Sequence, residues 1–194
     1  MKKSTIVQFV CFVTNLELDE FTPKWERYAR RLKNHNPETT LQQLVGTKSK
    51  FRYISQHEWL DKDFHFTFMN EKRSEHFPFI NEKRSEHFPE HNVKVVQIGG
   101  YTLMQAERRD HIDNSDSTKL IVFISHEEND IDFYLLLPLY SQLNIYQPYY
   151  ESCSYGYVLE FFVPDIDAVE LAKQLKQRRG VDTGIYKECM MFQL

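Results

Sequence analysis

Cysteine is scarce in this chain of 194 residues. Cys11, Cys153 and Cys189 are odd in number and far apart, and no CxxC pair occurs. That excludes a disulfide framework and the usual zinc spacings, and it makes a reducing cytoplasm the expected location. No apolar run approaches the roughly 18 to 20 residues of a membrane span. The apolar start is interrupted by Gln8 and breaks at Asn15-Leu16-Glu17, so neither a spanning helix nor a secretory peptide is expected. A basic stripe is missing as well. The net charge is −4, divided as +1 over residues 1–117 and −5 over 118–194, which leaves neither half with the cations that phosphate neutralisation demands. Nucleic acid and membrane are therefore excluded as expected partners. No GxGxxG, P-loop, HExxH or GxSxG occurs. The acidic run from His126 to Asp132 has carboxylates but neither the turn glycine nor the closing glutamate of a calcium loop, and it reads as a solvated helix N-terminus. No metal is expected.

What is present is apolar and aromatic: 41% hydrophobic and 14% aromatic residues suffice for a real core in one domain or two small ones. An undecapeptide occurs twice in succession, FMNEKRSEHFP at 68–78 and FINEKRSEHFP at 79–89, differing only in Met69 against Ile80. Two copies are too few to stack as a solenoid, so the repeat marks an indel-tolerant helix end. Eleven residues add about three turns, and the apolar face returns almost in phase. Pro78 then falls inside the helix, where a break at Phe77-Pro78 is expected.

Along the chain, Ser4 to Thr14 reads as a strand. Leu18 to Asn34 reads as a helix, with Leu18, Phe21, Trp25, Tyr28, Ala29 and Leu32 on one stripe. Thr39–Gly46 and Lys50–Trp59 read as a hairpin. Asp61–His87 reads as a helix, and Val93–Gln105 as a strand carrying Gly99-Gly100. Glu107 to Ser117 is rich in Asp, Asn and Ser and reads as a linker. It separates a first domain, 1–106, from a second, 118–194, with the linker at 107–117.

The second half repeats the order βαββαβ: strand 119–125, helix 129–143, strands 144–151 and 155–163, helix 165–179 capped by Asp165 and stopped at Gly180, and strand 184–193. Alternation puts Tyr155 and Tyr157 on one face and Glu160 on the other. The fold class expected is α+β, as two tandem ferredoxin-like βαββαβ units. Their antiparallel sheets each have one bare face, and packing these face to face as an α+β barrel covers both. The tyrosines of the second half, Tyr146, Tyr149, Tyr150, Tyr155 and Tyr157, suit such an interface. The chain is then a monomer with an internal pseudo-dimer, or a homodimer.

Glu58-Trp59 at a strand end, Phe64 and Phe68 on the following helix, and Ser74-Glu75-His76-Phe77, repeated as Ser85-Glu86-His87-Phe88, resemble the antibiotic-biosynthesis-monooxygenase type of dimeric α+β barrel over about Lys3 to Gln105. The resemblance implies binding of a small aromatic molecule in a barrel pocket, with cofactor-independent oxygenation as the enzymatic form and no cofactor expected. The haem-degrading branch places an asparagine within the first strand and a tryptophan on the helix; here Asn15 falls at the strand end and the helix position is Phe68. Cofactor-free oxygenation needs a water-excluding aromatic pocket and a group that stabilises or removes a substrate proton. His57, His65 and Trp59 are the catalytic candidates, and Tyr53, Phe68, Tyr101 and His87 the substrate-binding ones. A strand edge exposes His57 and His65 as readily as it lines a cavity, and exposure is the default expectation. Ordinary core packing is the default for Trp59, Phe64, Phe66 and Phe68. The competing function is a non-catalytic structural or interaction module in which these aromatics are only core.

Overall fold

The computed structural model describes residues 5–35, 38–47, 49–60, 62–63, 65–66, 93–109, 117–128, 134–135, 137 and 140–192. The undecapeptide repeat, and with it Phe68, His76 and His87, lies outside the described residues, as do Phe64 and the break expected at Phe77-Pro78. The strands are β1 (Ile6–Thr14), β2 (Thr40–Thr47), β3 (Tyr53–Trp59), β4 (Val93–Arg108), β5 (Ser117–Ile124), β6 (Gln142–Pro148), β7 (Tyr157–Pro164) and β8 (Val181–Phe192). Among the described residues the long helices are α1 (Leu18–His35) and α2 (Asp165–Lys176). All strand pairs are antiparallel, and they close into a barrel in the order β1-β3-β2-β8-β5-β7-β6-β4. No helix among the described residues is long and apolar enough to cross a membrane.

The first four strands stand in the order β4-β1-β3-β2 and the last four in the order β8-β5-β7-β6. Ladders β2–β8 and β4–β6 join the two groups. Closure thus goes further than two bare faces packed together: both outer edges of each group are hydrogen-bonded, which removes the exposed N–H and C=O rows an open sheet would present.

Strand β1 explains the layering. Its residues Ile6 to Phe12 are all buried, although a half-covered strand would alternate. Val7, Phe9 and Cys11 face the barrel interior with Leu44, Phe51, Ile54, Tyr101, Ile121, Phe123, Tyr146 and Tyr186. Val10 and Phe12 face outward beneath Phe21, Trp25 and Ala29 of α1. On the other side Ala168, Leu171, Ala172 and Leu175 of α2 cover the outer faces of β5, β6 and β7. The interior is packed by rings in edge-to-face contact, Phe9 lying 5.9 Å from both Tyr101 and Tyr146 and 6.2 Å from Phe123.

At one end of the interior sits an ion pair, Lys119 Nζ to Glu160 Oε1 at 2.7 Å. Asn144 and Tyr146 donate to Glu160 Oε2 at 2.9 and 3.0 Å, and Lys119 also donates to Gln42 and Gln56. Burial alone would raise the Glu160 carboxyl, but Lys119 and the two donors hold it below the ordinary carboxylate range.

Several expectations need correction. Gln142 and Leu143 belong to β6 and not to the preceding helix, because Gln142 pairs with Arg108 and Leu143 with Glu107. Those two partners belong to β4, and Ser117 begins β5, so the polar composition of 107–117 does not keep its ends out of the sheet. Pro164, not Asp165, is the N-cap of α2, and it makes no side-chain cap bond. Asp165 is the first helical residue, its carboxylate 3.3 Å from Lys187 Nζ. Tyr155 and Tyr157 do not share a face. Tyr155 precedes β7 and its ring packs 5.2 Å from Phe123 in the interior, whereas Tyr157 packs outside beneath α2. Phe66 is 52% exposed and so is not core.

Candidate functional site

Strand alternation turns Tyr53, Ser55, His57 and Trp59 of β3 to the outer wall, opposite Phe12, Val10, Gln8 and Ile6 of β1. Helix α1 lies over this wall, and its two ends differ. At one end Tyr53 stacks on Phe21 with centroids 3.9 Å apart and planes 3° apart, and its hydroxyl donates to the Leu16 carbonyl at 2.9 Å. At the other end His57, Trp59 and His65 gather. His57 and His65 are 0% exposed, which corrects the expectation of solvated histidines; α1 covers the former, and the latter packs edge-on against Trp59 at 4.7 Å.

The two histidines are in opposite situations. Trp25 Nε1 on α1 donates to Ser55 Oγ at 2.8 Å, and Ser55 Oγ lies 2.7 Å from His57 Nε2. With the serine accepting from the indole, its own proton is directed to Nε2. His57 then carries its proton on Nδ1, facing Gln8 Oε1 at a long 3.4 Å. Both ring nitrogens have partners. Burial, and secondarily charge on His65, lowers its pKa from 6.5 to about 3, so the ring is neutral at pH 7. A neutral, internally bonded histidine beneath a helix is a structural element of the wall.

His65 is not spent in this way. It lies in a helical stretch after β3, and its Nδ1 is 2.6 Å from the hydroxyl of Tyr150, which comes from the loop after β6. Its Nε2 is buried and has no hydrogen-bond partner among the described residues, a cost of about 1–3 kcal/mol for a polar atom cut off from water. Burial lowers this histidine to about 4 and raises the Tyr150 hydroxyl to about 12, so both are neutral at pH 7. The arrangement offers an aromatic wall of Trp59, Tyr150 and Tyr149, whose rings lie 4.8 Å apart in the tyrosine pair, and a neutral imidazole whose Nε2 has no partner among the described residues. Aromatic faces beside an unbonded polar nitrogen are the elements that a flat ring with a polar substituent would contact.

Tyr101 is elsewhere. The pairing of β1 with β4 shifts between Phe9 and Val10, with Phe9 opposite Gly99 and Val10 opposite Gln97, so Ile98 is the extra residue of a bulge. A one-residue slip reverses facing. Tyr101 therefore turns into the barrel, its hydroxyl bonded to the Tyr155 carbonyl at 3.2 Å, and Gly100 faces out. Gly99 supplies the positive φ of 130° that the bulge needs. Gly100 matters for space: a Cβ there would lie 3.1 Å from the Tyr150 ring and 3.2 Å from Ile6. Of the sequence candidates, then, His57, Trp59 and His65 come together, Tyr53 lines the far end of the same wall, Tyr101 belongs to the interior, and Phe68 and His87 lie outside the described residues. Tyr150, Ser55, Gln8 and Trp25 were not foreseen as site residues, although Trp25 stood on the α1 stripe and Tyr150 among the tyrosines assigned to the sheet interface. Among the described residues no three His, Cys, Asp or Glu side chains are grouped to hold a metal ion.

Compared with known protein families and with curated proteins, the sequence matches none. The fold has counterparts among solved structures. An anthrone oxidase-like protein superposes with a TM-score of 0.58 over 98% of this chain and 93% of its own, at 11% identity. A chlorite dismutase from Candidatus Nitrospira defluvii superposes with a TM-score of 0.51 over 96% of this chain and 92% of its own, at 8% identity. At such identities the likeness is one of fold: an α+β barrel with helices on its outside.

Proposed function

We propose that the chain binds a small aromatic molecule on the outer wall of the barrel, against Trp59, His65 and Tyr150. The observation that carries this reading is the buried Nε2 of His65, a polar atom without a partner among the described residues and beside two aromatic rings. A flat ligand carrying a hydroxyl or oxo group would satisfy it and relieve the cost of its isolation. The packed interior argues against a ligand inside the barrel, so the pocket expected from the sequence moves from the lumen to the wall.

The enzymatic form of this reading is oxygenation without a cofactor. A polycyclic phenol held as its anion in a water-poor site reacts with dioxygen far more readily than the neutral acid. For a ring methylene of the keto tautomer the balance is one dioxygen consumed, one oxygen atom entering the product as carbonyl and the other leaving with both hydrogens as water. His65 would hold the oxygen of the substrate, and Trp59 and Tyr150 would hold its ring. The strand orders β4-β1-β3-β2 and β8-β5-β7-β6 support reading the two halves as tandem ferredoxin-like units, in which case a single chain supplies the whole barrel.

The test is a titration with 1-naphthol followed by tryptophan fluorescence, since Trp59 would contact the ligand. Saturable quenching that disappears in His65→Phe, with oxygen uptake measured on the same samples, supports the proposal. Absence of quenching favours the structural-module reading, for which the packed interior is the supporting observation.

A further inference from the structure

The short contact between Tyr150 and His65 decides which way the unused nitrogen of His65 can act. This step rests on the ligand site proposed above and concerns the chemistry of its single polar contact.

Two arrangements satisfy a 2.6 Å contact between a hydroxyl and Nδ1. In the first the phenol donates, Nδ1 accepts, and the proton of a neutral imidazole sits on Nε2. In the second Nδ1–H donates, Nε2 is a bare lone pair, and the phenolic proton must find another acceptor. A phenol is a far better donor than acceptor, and imidazole nitrogen is the strongest neutral acceptor among side chains. Among the described residues the Tyr150 hydroxyl makes no other side-chain hydrogen bond, so the second arrangement would leave the phenolic proton to solvent on a half-buried ring. The first arrangement uses the strong donor and the strong acceptor together. It leaves an N–H, not a lone pair, as the buried group at Nε2 that is unpaired among the described residues.

We infer that Tyr150 is a positioning residue that holds His65 as its Nε2–H tautomer, so that His65 acts as a hydrogen-bond donor to a ligand oxygen and not as a base. The substrate class follows. An N–H donor in a water-poor site favours an acceptor oxygen: a quinone or ketone carbonyl, or a phenolate whose negative charge the donor stabilises. It gives no advantage to an aromatic hydrocarbon of the same shape. The geometry that delivers Tyr150 is built in at Gly100, whose missing Cβ leaves the ring 85 residues away from His65 in sequence free to close on it.

The experiment is two-bond proton–nitrogen correlation on the full chain labelled with 15N-histidine at pH 7, with and without 1,4-naphthoquinone, on the native protein and on Tyr150→Phe. The expected result on the native protein is a protonated Nε2 and an unprotonated, hydrogen-bonded Nδ1 for His65. Tyr150→Phe is expected to shift that Nδ1 signal and weaken naphthoquinone binding about tenfold, one lost hydrogen bond in a buried site, while naphthalene binding is unchanged. A protonated Nδ1 in the native protein overturns the inference, and this measurement needs no variant to fold. Equal loss of naphthalene and naphthoquinone binding in Tyr150→Phe also overturns it, because the tyrosine would then be only a wall. If the Nε2–H tautomer is found and naphthoquinone does not bind at all, the ligand reading fails while the tautomer assignment stands.

Discussion

Trp25 on α1 and Ser55 on β3 are joined by a 2.8 Å hydrogen bond from the indole nitrogen to the hydroxyl. This bond between the helix layer and the barrel wall is the first link of the chain that continues through His57 to Gln8. It fixes the proton positions along that chain and leaves His65 as the histidine with a nitrogen to spare.

Trp25→Phe removes the donor while keeping a ring beneath the helix. It should destabilise the fold by about 2 kcal/mol, from the lost bond and the smaller ring, and leave ligand binding at His65 unchanged. Urea denaturation and the naphthol titration measure the two effects. An unchanged denaturation midpoint would remove the indole–serine bond from the account.

Acid should destabilise the protein well above the range in which carboxylates titrate. Both histidines have folded pKa values, about 3 and about 4, below the unfolded 6.5. The unfolded chain therefore binds protons first as the pH falls. The stability of the neutral pair is fully present above about pH 6.5 and is lost progressively toward pH 4, by about 2 kcal/mol for each histidine between pH 7 and 5. Denaturation at those two pH values measures this, and His65→Phe should remove about half the difference. A flat profile in the native protein contradicts the burial of both rings.

Lys119→Met leaves the Glu160 carboxylate buried without its cation and should cost about 3–5 kcal/mol. The double change Lys119→Met with Glu160→Gln should recover much of the loss, because no uncompensated charge remains. Equal instability of the single and double variants would mean that Lys119 acts by packing alone.

Every described strand lies outside the undecapeptide repeat, so removing Phe79 to Pro89 should leave the barrel intact. Near-ultraviolet dichroism checks it: the aromatic interior should give the native spectrum. A flattened spectrum would show that the second copy is part of what holds the barrel together.

The barrel was largely legible in the sequence because its strands carry local signals. The stripe of Phe21, Trp25 and Ala29 gave α1 to within a residue of its end, whereas α2 ends at Lys176 with Gln177 as its C-cap, short of the stop expected at Gly180, whose positive φ of 74° lies in the turn before β8. The hairpin β2–β3 followed from a short polar connection. Long-range facts were not legible. Alternation places Tyr101 correctly only if the bulge at Ile98 is known, and that bulge is a property of the β1–β4 ladder. Burial of His57 and His65 depends on α1 and on Tyr150, neither adjacent in sequence. For the same reason the sequence brought His57, Trp59 and His65 forward together but could not separate the histidine bonded on both nitrogens from the one bonded on one. Tyr150 was assigned to the sheet interface and not to the site because its partner is 85 positions away.

The most direct test of the site is a thermal-shift comparison of the native protein and His65→Phe against haemin, flavins, polycyclic phenols and quinones, since a ligand that prefers the folded state raises the midpoint by mass action. The account predicts a rise with phenols or quinones in the native protein that is lost in the variant. No rise with any of them, or a rise of equal size in His65→Phe, would contradict a ligand site at the unpaired nitrogen of His65.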